Sequence, residues 1–217
     1  MVRFLILFIF STNLFASDGK VLFLKGIATA NSKPLAVESQ IQYQDMISVG
    51  KDSLLIVRID QAVLKLKAGT SIKLKKITQK KKNSVTKILL RKGEVFFKGK
   101  KKKDHTYEVQ TKMATMGVRG TEFFTTSSGP AGKEKIWMCV NEGSVVVKLK
   151  SNPKKLIVNK GEGIFVNSNK LPQKKQYEWT KKLNWNMGSQ SSIRYEDVKD
   201  EVNIEEIAYP IEEFIYD

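Results

Sequence analysis

Hydrophobic and polar residues alternate in short runs between Val21 and Val166, and each run breaks at a glycine. Segments such as VLFLKGIATA, LKLKAGTSIKL, LLRKGEVFF and VNEGSVVVKL share this layout. The breaking glycines are Gly26, Gly50, Gly69, Gly93, Gly120, Gly143 and Gly161, spaced 18 to 27 residues apart. Period-two alternation is the signature of strands, and a glycine between two strands suits a tight turn. Around Gly69, the residues Leu64, Leu66, Ile72 and Leu74 would line a buried face, with Lys65, Lys67, Lys73 and Lys75 on a solvated one. Residues 144–149 are more uniformly apolar, which predicts a strand buried on both faces. Quasi-repeated short strands that cannot bury their apolar faces alone predict an all-β, β-solenoid-like stack. A β-sandwich is the alternative, because the repeat length varies.

The pattern changes after Pro172. Tyr177, Trp179, Leu183 and Met187 stand near helical spacing, which predicts an amphipathic helix over 171–188 packing on the last coil and shielding its edge. Residues 189–217 are rich in glutamate and aspartate. They read as a flexible or marginally helical tail attracted to the lysine-rich body, or as a docking segment or self-inhibitory cover. At the other end, Arg3, the apolar run 4–10 and the small residue Ala16 form the layout of a secretory signal peptide over 1–16. That run is too short to span a membrane, which takes roughly 20 apolar residues. The β domain is accordingly expected over 17–170, outside the cytoplasm, in the periplasm or at the cell surface.

The formal net charge of +16 adds a question about partners. Only five of the 38 basic residues are arginine. Base and phosphate recognition draws on arginine's bidentate fork, so the lysine excess reads as solvated surface rather than a nucleic-acid footprint. It also biases the chain toward anionic envelope polymers. Cys139 is the only cysteine and lies in an apolar stretch, where a buried, inert thiol is expected.

Candidate chemistry is sparse. His105 is the only histidine, so no histidine-based triad with a second base can be assembled. One histidine and one cysteine make a metal centre unexpected, and no other cofactor is indicated. Residues 129–133 (GPAGK) are too short for a phosphate loop, and Glu134 replaces its hydroxyl. Glu94, Glu122, Glu142 and Glu162 sit beside turns and read as capping or ion-pairing groups. A non-enzymatic protein is expected.

Gly117-Val118-Arg119-Gly120-Thr121-Glu122-Phe123 resembles the Gly-x-Arg-Gly-Thr-x-Phe hallmark of the FecR domain family. Val140-Asn141-Glu142-Gly143-Ser144-Val145 is similar to the family's Val-x-Glu-Gly-x-Val element, and Gly93-Glu94-Val95 fits the preceding strand. The resemblance implies an extracytoplasmic, solenoid-like module. In founding members it lies behind a cytoplasmic helix and a membrane span, and relays receptor signals to a sigma factor. The only long apolar segment here is at the extreme N-terminus, so direct sigma-factor control is not expected. The residues Gly117, Arg119, Gly120, Thr121, Glu122, Phe123, Glu142 and Gly143 are the candidate site, serving folding or binding. Gly117 and Gly120 would allow a tight crossing, Arg119 would satisfy carbonyls or pair with Glu122, and Phe123 would return to the core.

The resulting expectation is a periplasmic binding or scaffold module that meets an envelope protein or glycan with a strand face or edge. The alternatives are an accessory of trans-envelope signalling tied to a receptor or secretion system, and an electrostatic binder of anionic polymers.

Overall fold

The computed structural model describes residues 18–78, 84–101, 103–168, 170–188 and 193–200. The expected signal peptide and most of the acidic segment (189–192 and 201–217) lie outside the described residues. Sixteen strands follow in order: β1 (Gly19–Lys25), β2 (Ala28–Ala30), β3 (Lys33–Pro34), β4 (Gln40–Ile41), β5 (Met46–Val49), β6 (Leu54–Ile59), β7 (Ala62–Leu66) and β8 (Ser71–Thr78). Next come β9 (Ser84–Gly99), β10 (His105–Gln110), β11 (Ala114–Val118), β12 (Glu122–Ser127), β13 (Ile136–Glu142), β14 (Ser144–Leu149), β15 (Lys155–Asn159) and β16 (Gly163–Val166).

They pair into one mixed sheet that does not close into a barrel. The sheet is doubled into two layers. The first runs β4-β1-β6-β7-β9-β12-β13-β16, antiparallel throughout. The second runs β3-β2-β5-β8-β9-β10-β11-β14-β15, with β9–β10 its one parallel pair. Alternation sends every second side chain inward, so Leu64, Phe97 and Phe123 of the first layer join Ile88, Val109 and Met116 of the second in one core. The all-β expectation holds.

β9 belongs to both layers because it bends in the middle. Its first part pairs with β8, and its last seven residues pair with β7 and β12. The bend combines a bulge, where Lys92 faces Ser71 but Leu90 faces Ile72, with Gly93 at φ +96. A Cβ at Gly93 would lie 2.4 Å from the Cα of Thr70, so only glycine permits this approach. The Thr70 hydroxyl closes the corner, accepting from the Glu94 amide at 3.0 Å and donating to its carbonyl at 3.1 Å.

All seven glycines that punctuate the sequence fall where the chain passes between layers. Gly26, Gly50, Gly69 and Gly93 cross at one end of the strands; Gly120, Gly143 and Gly161 cross at the other. The crossings change ends at β9.

Two expectations are corrected. Residues 144–149 are not buried on both faces: burial alternates strictly along β14, and Val146 points outward at 37% exposure. The helix expected over 171–188 is a single 3-10 turn, Glu178–Lys182, within an extended strap. The spacing suits a helix, but the backbone is engaged elsewhere. Lys175 exchanges two hydrogen bonds with Gly163 of β16, which covers that edge at one bridge. The Asn184 amide donates to Asp200, and the Asn184 side chain captures the Asn186 amide.

The strap nonetheless buries the predicted residues. Trp179, Leu183 and Met187 cover Phe96, Phe124, Trp137 and Cys139 on the outer face of the first layer. Further on, a single helical turn, α1 (Tyr195–Val198), places Val198 against Leu54 and Ile56. Residues 193–200 of the acidic segment are thus docked on the sheet.

Beneath the strap, burial pushes the Cys139 thiol far above its ordinary range. The native protein should resist alkylation by iodoacetamide at pH 8 and label fully in guanidinium, which mass spectrometry would read out. Rapid native labelling would show that the strap leaves this face open.

Candidate functional site

The hallmark residues assemble at one corner, where β11 of the second layer hands over to β12 of the first. Gly120 turns there at φ +69, and Gly143 makes the next crossing at φ +77. The two corners stack tightly: a Cβ on Gly143 would lie 2.8 Å from the Gly120 carbonyl oxygen and 3.0 Å from Thr121 Cγ2. Gly99 donates to the Thr121 carbonyl at 3.0 Å, and Lys160 to the Gly143 carbonyl at 3.0 Å, which ties successive corners into a column. Phe123 returns to the core against Phe97, with centroids 5.4 Å apart.

Glu122 is buried at the first position of β12. Its carboxylate accepts from Lys98 at 3.1 Å and from the Asn141 side chain at 2.7 Å. This bridges β9, β12 and β13. The expected Arg119–Glu122 pair is absent: Arg119 is exposed and has no ion pair among the described residues. Glu142 faces Glu122 in register but is exposed. Thr121 is buried, and its hydroxyl has no partner among the described residues. The other turn glutamates behave as ion pairs: Glu94 with Lys67 at 2.9 Å, and Glu162 with Lys174 at 3.0 Å.

Gly117 differs from its neighbours in the block. It lies mid-strand, and a Cβ there would meet only the Val146 carbonyl, at an ordinary 3.7 Å. Neither strain nor crowding inside the fold requires glycine at this position. Along the outer face of the second layer, Glu108, Gly117, Val146 and Ile157 form one cross-strand row. Ile157 is 54% exposed and sits on β15, whose second edge pairs with no strand among the described residues. The sequence marked Gly117 but not Val146 and Ile157. The alternation in KLIVN, with Val158 inward, carried that signal for Ile157.

His105, the single histidine, opens β10 rather than lying in a loop, and is buried. Its Nδ1 is hydrogen-bonded with Ser84, and its Nε2 lies 3.6 Å from Asp60. Asp60 also accepts from the Tyr43 hydroxyl and from Thr86 at 2.9 Å. Burial first, then the Asp60 bond, raise the Tyr43 hydroxyl well above its ordinary range. The network ties the β6–β7 turn to β9 and β10 across the two layers.

Comparison with known proteins places this geometry. Residues 45–146 match the family described as FecR protein. That segment is similar to a FecR domain. The match contains the whole Gly117–Phe123 hallmark and the Glu142–Gly143 corner. No curated protein matches this chain. Two crystal structures of a candidate anti-sigma factor from Parabacteroides distasonis, at 2.50 and 1.65 Å resolution, are similar in fold to part of this chain. Each is 24% identical with a TM-score of 0.50 over 60% of this chain, and the match spans 59% of that chain.

Proposed function

We propose that this protein is a non-enzymatic, protein-binding module of the cell envelope that acts in signalling. The observation that carries this reading is the outward row of Gly117, Val146 and Ile157 beside the unpaired edge of β15. A side-chain-free position next to two exposed apolar residues lets a partner strand approach closely, while the free edge offers backbone donors and acceptors. Lys148, Lys155 and Lys160 around the row favour an acidic partner. The similarity to a FecR domain supports a signalling role, as does the likeness to a structure named for anti-sigma activity. The signal-peptide layout of residues 1–16 supports export. In this reading the domain covers 17–170 as a solenoid-like column of stacked corners, 171–188 is its strap, and 189–217 is an acidic tail.

The test is capture from native envelope extracts at physiological salt with wild type, Gly117→Leu and Ile157→Glu. One partner should be retained by wild type and lost about tenfold or more by both variants, the equivalent of about 1.4 kcal/mol each. Equal recovery by all three, or recovery of nothing, would remove the reading. Binding that collapses between low and moderate salt, irrespective of these variants, would favour general attachment to anionic polymers instead.

A further inference from the structure

A second concave surface lies at the other end of the strands, lined by residues of both layers. There the glycine crossings give way to the hairpin between β12 and β13, and the seam leaves a cleft of about 330 Å³. Gly69 and Gly93 form its corner side, and Ser127 to Glu134 its hairpin side. A neighbouring hollow of about 510 Å³ shares Lys112 and Glu134 with it, so the depression is elongated.

Its polar groups are unevenly matched. Glu134 is held by Lys112 at 3.0 Å, a bond that lowers its pKa. Glu94 is held by Lys67 at 2.9 Å. Arg91 and Lys92 line the same cleft, exposed and without an ion pair among the described residues. Positive charge is therefore left over. Trp137 also lines the cleft, is 1% exposed, and its Nε1 has no hydrogen-bond partner among the described residues. A buried indole N–H without an acceptor is costly and uncommon in a packed protein.

We propose that this cleft binds an acidic, extended peptide segment of a partner protein, with Arg91 and Lys92 meeting its carboxylates and Trp137 Nε1 donating to one of its oxygens. The guanidinium fork suits a carboxylate, and the buried N–H supplies a directional bond that a merely basic surface lacks. The elongated shape suits a chain of several residues better than a compact anion. Thr126 and Ser127 line the same wall. The inference rests on the protein-binding reading above, but uses residues remote from the β15 edge.

The experiment is a titration of the full chain with acetylated, amidated tri-glutamate, followed by ¹H–¹⁵N NMR of the indole resonances. Trp137→Phe assigns the relevant peak and tests its bond. The Trp137 indole proton should move downfield with tri-glutamate and stay in place with tri-glutamine. Affinity should fall about tenfold in Trp137→Phe, as expected for a lost bond to a charged group. Arg91→Gln/Lys92→Gln, both on the surface, should lose at least as much, and this variant keeps the test valid should Trp137→Phe misfold. An unmoved indole at millimolar peptide, or unchanged affinity in the double variant, would overturn the proposal. Inorganic phosphate binding as tightly as tri-glutamate would overturn it equally. Ile157→Glu should leave the peptide titration unchanged, so loss of envelope capture and loss of peptide binding report separately on the two readings.

Discussion

Lys65→Ala should release the C-terminal strap without unfolding the two layers. Lys65 is fully buried beneath the strap. Its Nζ donates to the carbonyls of Asn184 and Val198, lies 3.9 Å from Asp200, and sits 4.0 Å above the Phe96 ring. Truncation orphans two carbonyls, strips a buried carboxylate of one of its two lysines, and opens a gap over Phe96. Removing one partner from a buried polar cluster of this kind costs about 3 kcal/mol. Nearly all of that loss falls on the contact between strap and sheet, because the β7 backbone stays paired on both sides. Hydrogen exchange should show residues 177–187 and 193–200 losing protection while β7, β9 and β12 keep theirs. Limited proteolysis should cut within the strap first. Strap protection unchanged from wild type would refute the clamp.

The same lysine gives the strap a pH dependence of definite sign. Burial pulls its pKa from 10.5 down to about 8, although Asp200 acts to raise it. An undocked strap would leave Lys65 in water near its ordinary value. Between about pH 8 and 10.5 the undocked form therefore binds more protons than the docked one, so docking tightens as pH rises. The added stability is complete above the undocked pKa and absent below about 8. A shift of this size corresponds to about 3 kcal/mol. The neutral amine keeps its hydrogen bonds to both carbonyls, so the gain is not offset by losing them. Lys65→Met removes the titrating group, and the difference between wild type and this variant should rise across that window. A flat difference would mean that docking the strap leaves the lysine's pKa unchanged.

Lys65 also shows what alternation along a chain can and cannot convey. Period two places Lys65 on the face opposite Leu64 and Leu66, and the structure agrees. Whether that outer face meets water depends on a segment more than a hundred residues later, which no local pattern announces. The same gap explains the strap itself. Trp179, Leu183 and Met187 carry their burial in their spacing, but the choice of an extended strap over a helix depends on Gly163, Lys65 and Asp200 reaching the backbone. The glycine turns were legible because backbone geometry is set locally. Their shared role as crossings between two layers was not, since it needs the pairing partners of each strand. In the hallmark block, Gly120 and Phe123 followed from turn and core arguments. Arg119 did not pair as its charge suggested, because Lys98 and Asn141 are the groups that β9 and β13 bring alongside Glu122.

The corner column makes a graded prediction about glycine. Gly143→Ala meets two penalties. At φ +77 an L side chain is strained by roughly 1–2 kcal/mol. The new methyl would also lie 2.8 Å from the Gly120 carbonyl, a backbone atom that cannot swing aside without moving the hallmark corner. Together these should cost about 3 kcal/mol, placing the variant among severe single substitutions. Gly161→Ala isolates the first penalty, because φ is +80 but nothing lies within 4 Å of the new Cβ, so about 1 kcal/mol is expected. Gly117→Ala carries neither, and its folding should differ from wild type by less than about 0.5 kcal/mol. Chemical denaturation of the three variants would read this order directly. Equal losses at Gly143 and Gly161 would show that the corners do not press on one another. A loss at Gly117 as large as that at Gly143 would assign that glycine to folding and remove the reason for reading its bare surface as a contact face.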